Sequence, residues 1–241
     1  FTDIELSLHW QWNSVPSPYW YYAYSNAKET HTNGLGALRL YSVDQKEDWK
    51  NLSDSPNLLL QKTPADNFTA TAKLRFVPNP QLKEKGESCG LVLFGLDYAT
   101  LKLTDTPSGV ILQYAECKDA FNGKSECILS EISLNSERLP APYSNKYMSS
   151  TVPPVKPLEY KSTDIFLRIK VEPREQKGKV PDTTATFWYS TDGKNWKKMN
   201  DEQFIGRPGK WIGAKLGFFC NRMVKKNDSG WVQIDWIKVT K

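Results

Sequence analysis

The sequence predicts an all-β fold, a sandwich or barrel of short strands, and two observations carry the prediction. About eleven runs either alternate with period two or are rich in β-branched and aromatic residues, with turn-forming residues between them. No long stretch shows the periodicity of an amphipathic helix. The chain has 241 residues, a length that all-β sandwiches often reach undivided and that can bury a sizeable core without staples. Residues 1–241 therefore read as a single domain.

The runs are, in order, Leu6–Trp12, Ala37–Tyr41, Thr69–Val77, Cys89–Phe94, Tyr98–Leu103, Val110–Glu116, Cys127–Leu134, Ile165–Glu172, Thr184–Ser190, Lys215–Asn221 and Trp231–Val239. Trp10 and Trp12 stand two apart and share a face, where a core role is the ordinary one. A short helical turn fits Gln45–Leu52. Phe94-Gly-Leu-Asp-Tyr98 joins two runs as a tight hairpin, and Thr191-Asp-Gly-Lys194 carries the Asp-Gly pair that suits a two-residue hairpin turn. Pro140, Pro142, Pro153, Pro154 and Pro157 crowd the stretch Ser136–Thr163, too many for a central strand. That stretch reads as a long surface connection inside one domain.

Composition excludes several classes. Net charge is +5 at pH 7, but the basic residues, among them Lys83, Lys85, Lys194, Lys197, Lys198, Lys225 and Lys226, are scattered and interleaved with acids. A nucleic-acid partner calls for a dense basic stripe instead. No apolar run is long enough to span a membrane. No signal peptide stands at Phe1, which says nothing about export.

The four cysteines, Cys89, Cys117, Cys127 and Cys220, form no C-x-x-C pair, and only His9 and His31 are available beside them, so a zinc site is not expected. An even cysteine count permits disulfides and favours an oxidising compartment, whether secreted, periplasmic or cell-surface. Cys117 and Cys127 flank Lys118–Glu126, which contains Asn122-Gly123 and reads as a hairpin loop; a disulfide closing it is the expected pairing. Cys89 lies on the face of Leu91 and Leu93, and Cys220 on that of Leu216 and Phe218. Both look core-facing, and a bridge between them needs adjacent strands.

Catalytic patterns are missing. A glycosidase needs two carboxylates set across a bond. Glu116, Glu126 and Glu131 lie on or near strands, yet no spacing singles out a pair, and solvated strand faces are the ordinary reading. Neither a Ser-His-Asp arrangement nor a phosphate loop between strand and helix is found. Nine Trp, eleven Tyr and ten Phe exceed what one core face can take in places. Tyr19, Trp20, Tyr21 and Tyr22 run consecutively, so some are exposed or cover a junction; Trp49, in a polar segment, is another exposed candidate.

Three groups of blocks bring in a family. The first is Leu8-His-Trp-Gln-Trp-Asn13 with Gly36-Ala-Leu-Arg-Leu40 and Pro56-Asn-Leu-Leu-Leu-Gln61. The second is Phe68-Thr-Ala-Thr-Ala-Lys-Leu74 with Cys89-Gly-Leu-Val-Leu93. The third is Tyr189-Ser-Thr-Asp-Gly-Lys-Asn-Trp196 with Gly209-Lys-Trp-Ile-Gly-Ala-Lys-Leu-Gly-Phe-Phe-Cys220 and Ile234-Asp-Trp236. In this order they resemble the C-terminal concanavalin A-like domain of family 43 glycoside hydrolases, the β-xylosidases and α-L-arabinofuranosidases. The resemblance implies a two-sheet antiparallel jelly-roll sandwich and a setting in polysaccharide degradation. It also implies a catalytic propeller, in the same or a partner chain, that these residues do not contain. The sequence departs from the family at Cys117–Cys127 and in the Pro-rich stretch.

The leading expectation is thus a non-catalytic accessory or carbohydrate-binding module of a hydrolase acting on xylan or arabinoxylan, with an oligo- or polysaccharide as partner. A complete jelly-roll glycosidase or lyase, and a free-standing lectin-like surface protein, are the alternatives. With Ala99, Leu101 and Leu103 inward, Tyr98, Thr100 and Lys102 face outward together. Gln113 or Tyr114 joins them from the next run, and Glu131 joins when Ile128 and Ile132 point inward. Trp20 and Tyr21 supply a second stacking platform. Jelly rolls of carbohydrate-binding type also imply a structural calcium ion, with Asp235 pointing outward and Asp3 or Glu5 approaching from the N-terminus.

Overall fold

The structure, a computed structural model, describes residues 1, 5–24, 36–81, 86–138, 161–174, 182–207, 213–225 and 229–241. Its elements are strands, with short 3-10 turns at Leu52–Asp54 and Ala120–Asn122. The strands begin with β1 (Gln11–Trp12), β2 (Tyr21–Tyr24), β3 (Ala37–Tyr41), β4 (Val43–Asp44), β5 (Leu59–Lys62) and β6 (Phe68–Val77). Then come β7 (Ser88–Phe94), β8 (Tyr98–Thr106), β9 (Gly109–Cys117), β10 (Cys127–Ser133), β11 (Glu137–Arg138) and β12 (Lys161–Arg174). Last are β13 (Asp182–Ser190), β14 (Lys197–Lys198), β15 (Phe204–Gly206), β16 (Lys215–Arg222) and β17 (Trp231–Thr240).

They pair into two sheets. The first runs β1-β5-β16-β7-β8-β9-β10, and the second β14-β13-β12-β6-β17-β3-β2. Pairing is antiparallel except for a short parallel contact of β4 with β16. Side-chain alternation explains why the sheets stack. In β6, Phe68, Ala70, Ala72, Leu74 and Phe76 are buried while Thr69, Thr71, Lys73 and Arg75 lie on the other face. In β8, Ala99, Leu101 and Leu103 enter the same core, as expected from the sequence. That core joins residues from Ala23 to Ile234, so early and late segments close one sandwich. The two-sheet antiparallel architecture is the expected one.

Some expectations need correction. Of Leu6–Trp12 only Gln11–Trp12 is strand, because Trp10 N–H turns back to the Ser7 carbonyl, 3.0 Å away, instead of joining a ladder. The helical turn falls at Leu52–Asp54 rather than Gln45–Leu52, capped by the Asn51 side chain accepting from Ser53 N–H at 2.8 Å. The Asp-Gly segment is a six-residue loop between β13 and β14, not a two-residue turn. There Asp192 accepts from Lys194 and Asn195 N–H, both at 2.8 Å. Gly193 has φ 72°, a conformation that favours glycine, and packs closely on the Phe166 ring. The Pro-rich connection falls mostly on residues 139–160, outside the described residues.

The outer face of the first sheet is half covered, a feature absent from the expected picture. A second apolar cluster, comprising Leu52, Leu58, Leu60, Val92, Phe94, Tyr98, Cys117, Ala120 and Phe219, packs there with Trp49. Tyr98 points to this face as expected but is fully buried beneath it. Its ring stacks on Phe94. Its hydroxyl accepts from Leu52 N–H at 3.1 Å and donates to Glu126 at 3.0 Å. Burial, then the Glu126 charge, push that hydroxyl well above the usual phenol range, so it stays a neutral donor. Thr100 is also fully buried, its hydroxyl donating to the Leu91 carbonyl at 3.0 Å.

A clasp ties three loops together at one end. Arg207 grips Asp97 through two hydrogen bonds of 2.9 and 2.7 Å and reaches Asp119 at 3.2 Å. Burial alone raises the Asp97 carboxyl. The Arg207 side chain and the backbone N–H groups of Asp119 and Arg207 outweigh it and bring the carboxyl down to about 2.

Two predictions follow from these contacts. Tyr98→Phe strands Leu52 N–H and a Glu126 oxygen, and should cost about 1–3 kcal/mol. In a thermal melt that is a fall of roughly 3–10 °C; an unchanged melting temperature would contradict the role given to the hydroxyl. Asp97 has its folded pKa depressed, so its contribution is complete above about pH 4 and is lost as pH falls toward about 2. Asp97→Asn should cost about 1–2 kcal/mol near neutrality, less than the full shift because Arg207 is half exposed. Its stability, measured by urea unfolding across acid pH, should fall less steeply than that of the unmodified chain.

Candidate functional site

Beyond the cover, the outer face of the first sheet opens into a groove of ≈ 280 Å³. Trp49, Leu52 and Phe219 form the apolar wall on the cover side. Lys102, Thr104 and Gln113 form the floor, and Glu126, Ile128 and Met223 complete the lining. Strand register explains the floor: Lys102 faces Gly90 on one neighbour and Gln113 on the other, while Thr104 faces Ser88 and Ile111. Gly90 admits no Cβ, which would lie 2.1 Å from the Leu101 carbonyl oxygen, so nothing fills the floor beside Lys102.

The polar groups are fixed by one another. Lys102 is ion-paired to Glu126, which also accepts from Tyr98. Thr104 donates to Gln113 at 2.9 Å, and Gln113 donates to Glu131 at 3.2 Å. Trp49 Nε1 donates to Ser55 at 2.9 Å, fixing the indole, and Asn221 donates to the same hydroxyl at 2.9 Å. Such an arrangement offers a held indole, a cation and carboxylate, and amide and hydroxyl groups along one trough. Hydroxyl-rich ligands with apolar faces are what it suits.

Of the expected site residues, the structure brings together Lys102, Gln113 and Glu131. Gln113 is nearly buried, and Glu131 is exposed beside the groove. Tyr98 and Thr100 belong to the same face but are sealed beneath the cover, out of a ligand's reach. Ile128 does not point inward. A bulge at Leu129 turns it to the groove side with Glu131, while Ile132 stays on the core side opposite Leu112. Trp20 and Tyr21 lie elsewhere. Both rings contact Trp12, at 5.6 and 5.4 Å, and Tyr21 packs on the core. Trp49 was visible in the sequence as an aromatic without a strand to bury it. Thr104 carried no signal, and Glu126 stood out only as one of three carboxylates near strands, since strand register and loop closure place them.

A larger hollow of ≈ 690 Å³ lies between β10 and the β12–β13 edge, lined by polar residues such as Ser133, Asn135, Ser162 and Asn195. Among the described residues that line it, the aromatic is Tyr189, which is nearly buried.

Of the expected calcium ligands, Asp235 is engaged by other groups. Asp235 lies on the outer face of its sheet, as expected, but beside Lys73 and Gln233 it is only 5% exposed. Its carboxylate binds Lys73 Nζ at 2.7 Å and accepts from Gln233 at 2.8 Å. An ammonium at that distance does not fit a cation shell. Glu5 is exposed, and Asp3 lies outside the described residues. Among the described residues, no three His, Cys, Asp or Glu side chains gather to hold a metal.

The expected Cys117–Cys127 bridge is also corrected. Both are free thiols, Cys117 buried and Cys127 exposed. Cys127 sits opposite Glu116, one position from Cys117, so the two side chains leave opposite faces of the sheet. Cys117 Sγ instead meets the Lys124 carbonyl at 3.1 Å, and burial pushes its thiol up to about 11.

Comparisons agree with this architecture. The family model of the β-xylosidase C-terminal concanavalin A-like domain, from glycoside hydrolase family 43, matches residues 1–240. No curated protein sequence matches the chain. Among solved structures, a xylan β-1,4-xylosidase from Bacillus halodurans C-125 covers all of the chain with a TM-score of 0.64 and 15% identity. An engineered family 43 glycoside hydrolase with endo-xylanase and exo-arabinofuranosidase activity also covers all of it, with a TM-score of 0.69 and 16% identity. A bifunctional family 43 and carbohydrate esterase protein from Bacteroides eggerthii covers 98%, with a TM-score of 0.63 and 17% identity. At such identities the likeness concerns the fold. The chain spans 38%, 40% and 24% of the lengths of these three proteins. With the whole chain matched, it belongs to the family of β-xylosidase C-terminal concanavalin A-like domains.

Proposed function

We propose that this chain is the accessory, non-catalytic sandwich of an exported family 43 glycoside hydrolase, and that it holds a xylan-type chain in the groove of its first sheet. The observation that carries the reading is the groove itself: a fixed indole at one wall above a floor of lysine, threonine and glutamine. A pyranose presents apolar C–H faces to the ring and hydroxyls to the floor. The xylan-directed names of the similar structures favour a xylan or arabinoxylan ligand. Because the chain spans only part of those proteins, hydrolysis is assigned to a propeller domain beyond these residues. Glu126 supports that division. It is locked by Lys102 and Tyr98, whereas a general acid must be free to give its proton to a leaving group.

The test is titration of the chain with xylo- and arabino-oligosaccharides, followed by tryptophan fluorescence and NMR. Saturable change is expected. Trp49→Ala should weaken it about tenfold or more. Met223→Glu, at the half-exposed rim, should block the groove without touching the core, while Trp20→Ala should leave binding intact. No perturbation at millimolar ligand would overturn the glycan role and leave a support for the catalytic domain. Turnover of aryl xylosides by this chain, lost with Glu126→Gln, would overturn the non-catalytic role.

A further inference from the structure

Cys89 in β7 and Cys220 in β16 are direct partners in the antiparallel register. Both are fully buried, and both point into the main core with Leu91, Leu93, Leu216 and Phe218. Facing residues of an antiparallel pair hold their Cα atoms about 4.5 or 5.5 Å apart, and either spacing falls within the disulfide range of about 4.4–6.8 Å. Their thiols interact: after burial, it is the hydrogen bond and charge of Cys220 that push the Cys89 thiol further up. Cys117 lies in the separate outer cluster, and it leaves the sheet on the face opposite to Cys127, so those two are not set to pair with each other.

We propose that Cys89 and Cys220 are an oxidisable pair that closes into a cross-strand disulfide when the chain folds in an oxidising compartment, and that the free thiols seen here are its reduced form. The oxidant is a low-molecular-weight disulfide such as oxidised glutathione. One cysteine thiolate attacks it, forming a mixed disulfide and releasing one reduced glutathione. The second thiolate attacks the protein sulfur, forming the Sγ–Sγ bond and releasing the second. The cysteines lose two electrons and two protons, and the glutathione disulfide gains both. Neither sulfur is reachable once the sheets have closed, so the bond forms while β7 and β16 are paired but the second sheet is not yet docked. The bond would staple two central strands that lie far apart in sequence, where loop closure constrains the unfolded chain most.

The full chain, denatured and refolded in a glutathione redox buffer, tests this. The product is denatured again without reductant, alkylated with iodoacetamide, digested and mapped by mass spectrometry. The expected result is a peptide joining Cys89 to Cys220, with Cys117 and Cys127 alkylated, and an intact mass lower by two hydrogens before alkylation. Cys220→Ser should return Cys89 as an alkylated residue. Alkylation of all four cysteines in the unmodified chain, or a bridge that uses Cys117 or Cys127, overturns the proposal.

Discussion

The Tyr98 hydroxyl joins three segments, and the working face of the first sheet depends on it. It accepts a hydrogen bond from Leu52 N–H, in the segment that crosses the sheet, and donates one to Glu126 from the β9–β10 connection. Glu126 in turn fixes Lys102 on the sheet itself. The cover docks because Leu52 and Leu58 bury apolar surface in one cluster with Leu60, Val92 and Phe219 of the sheet. Tyr98 satisfies the polar groups that this docking would otherwise leave unpaired. Trp49, carried on the same segment, thereby becomes the groove wall.

Buried carboxylates hold the rest of the loops in place, each by a different means. Asp97 is neutralised by a bidentate arginine. Asp235 takes a lysine from the neighbouring strand. Glu87, fully buried, takes donors instead: the Ser42 hydroxyl, Asn79 N–H at 2.5 Å and Gly230 N–H at 2.7 Å. A Cβ at Gly230 would stand 2.5 Å from the Glu87 carboxylate, so the close approach that makes this site requires glycine. Charge buried without such partners is costly, which is why each anion marks a junction between segments.

The second sheet treats its outer face differently. Arg39 lies over the Trp231 ring at 3.9 Å and Arg168 over Trp196 at 3.6 Å, while Arg75 pairs with Asp164. Guanidinium groups thus shield aromatic faces that would otherwise be bare. On the first sheet, Trp49 instead borders an open trough. That contrast explains why a stacking role falls to Trp49 and not to the more conspicuous tryptophans of β17 and the β13–β14 loop.

Alternation in β6 and β8 was enough, by itself, to determine the all-β class and the inward set of Ala99, Leu101 and Leu103, because a strand's side-chain period is a local property. The family blocks likewise determined the sandwich architecture. Tertiary structure decided which outward residues meet solvent. Tyr98 and Thr100 have an outward pattern, yet a segment about fifty residues away in sequence lies on top of them, and no local pattern records that. A bulge at Leu129 shifted the register by one residue and reversed the face that strict alternation had assigned to Ile128, and one at Asp235 set Trp236 opposite the outward Lys73. The pairing of Cys89 with Cys220, and the separation of Cys117 from Cys127, were equally invisible, since strand adjacency is fixed by how distant segments assemble into a sheet and not by the spacing of residues along the chain.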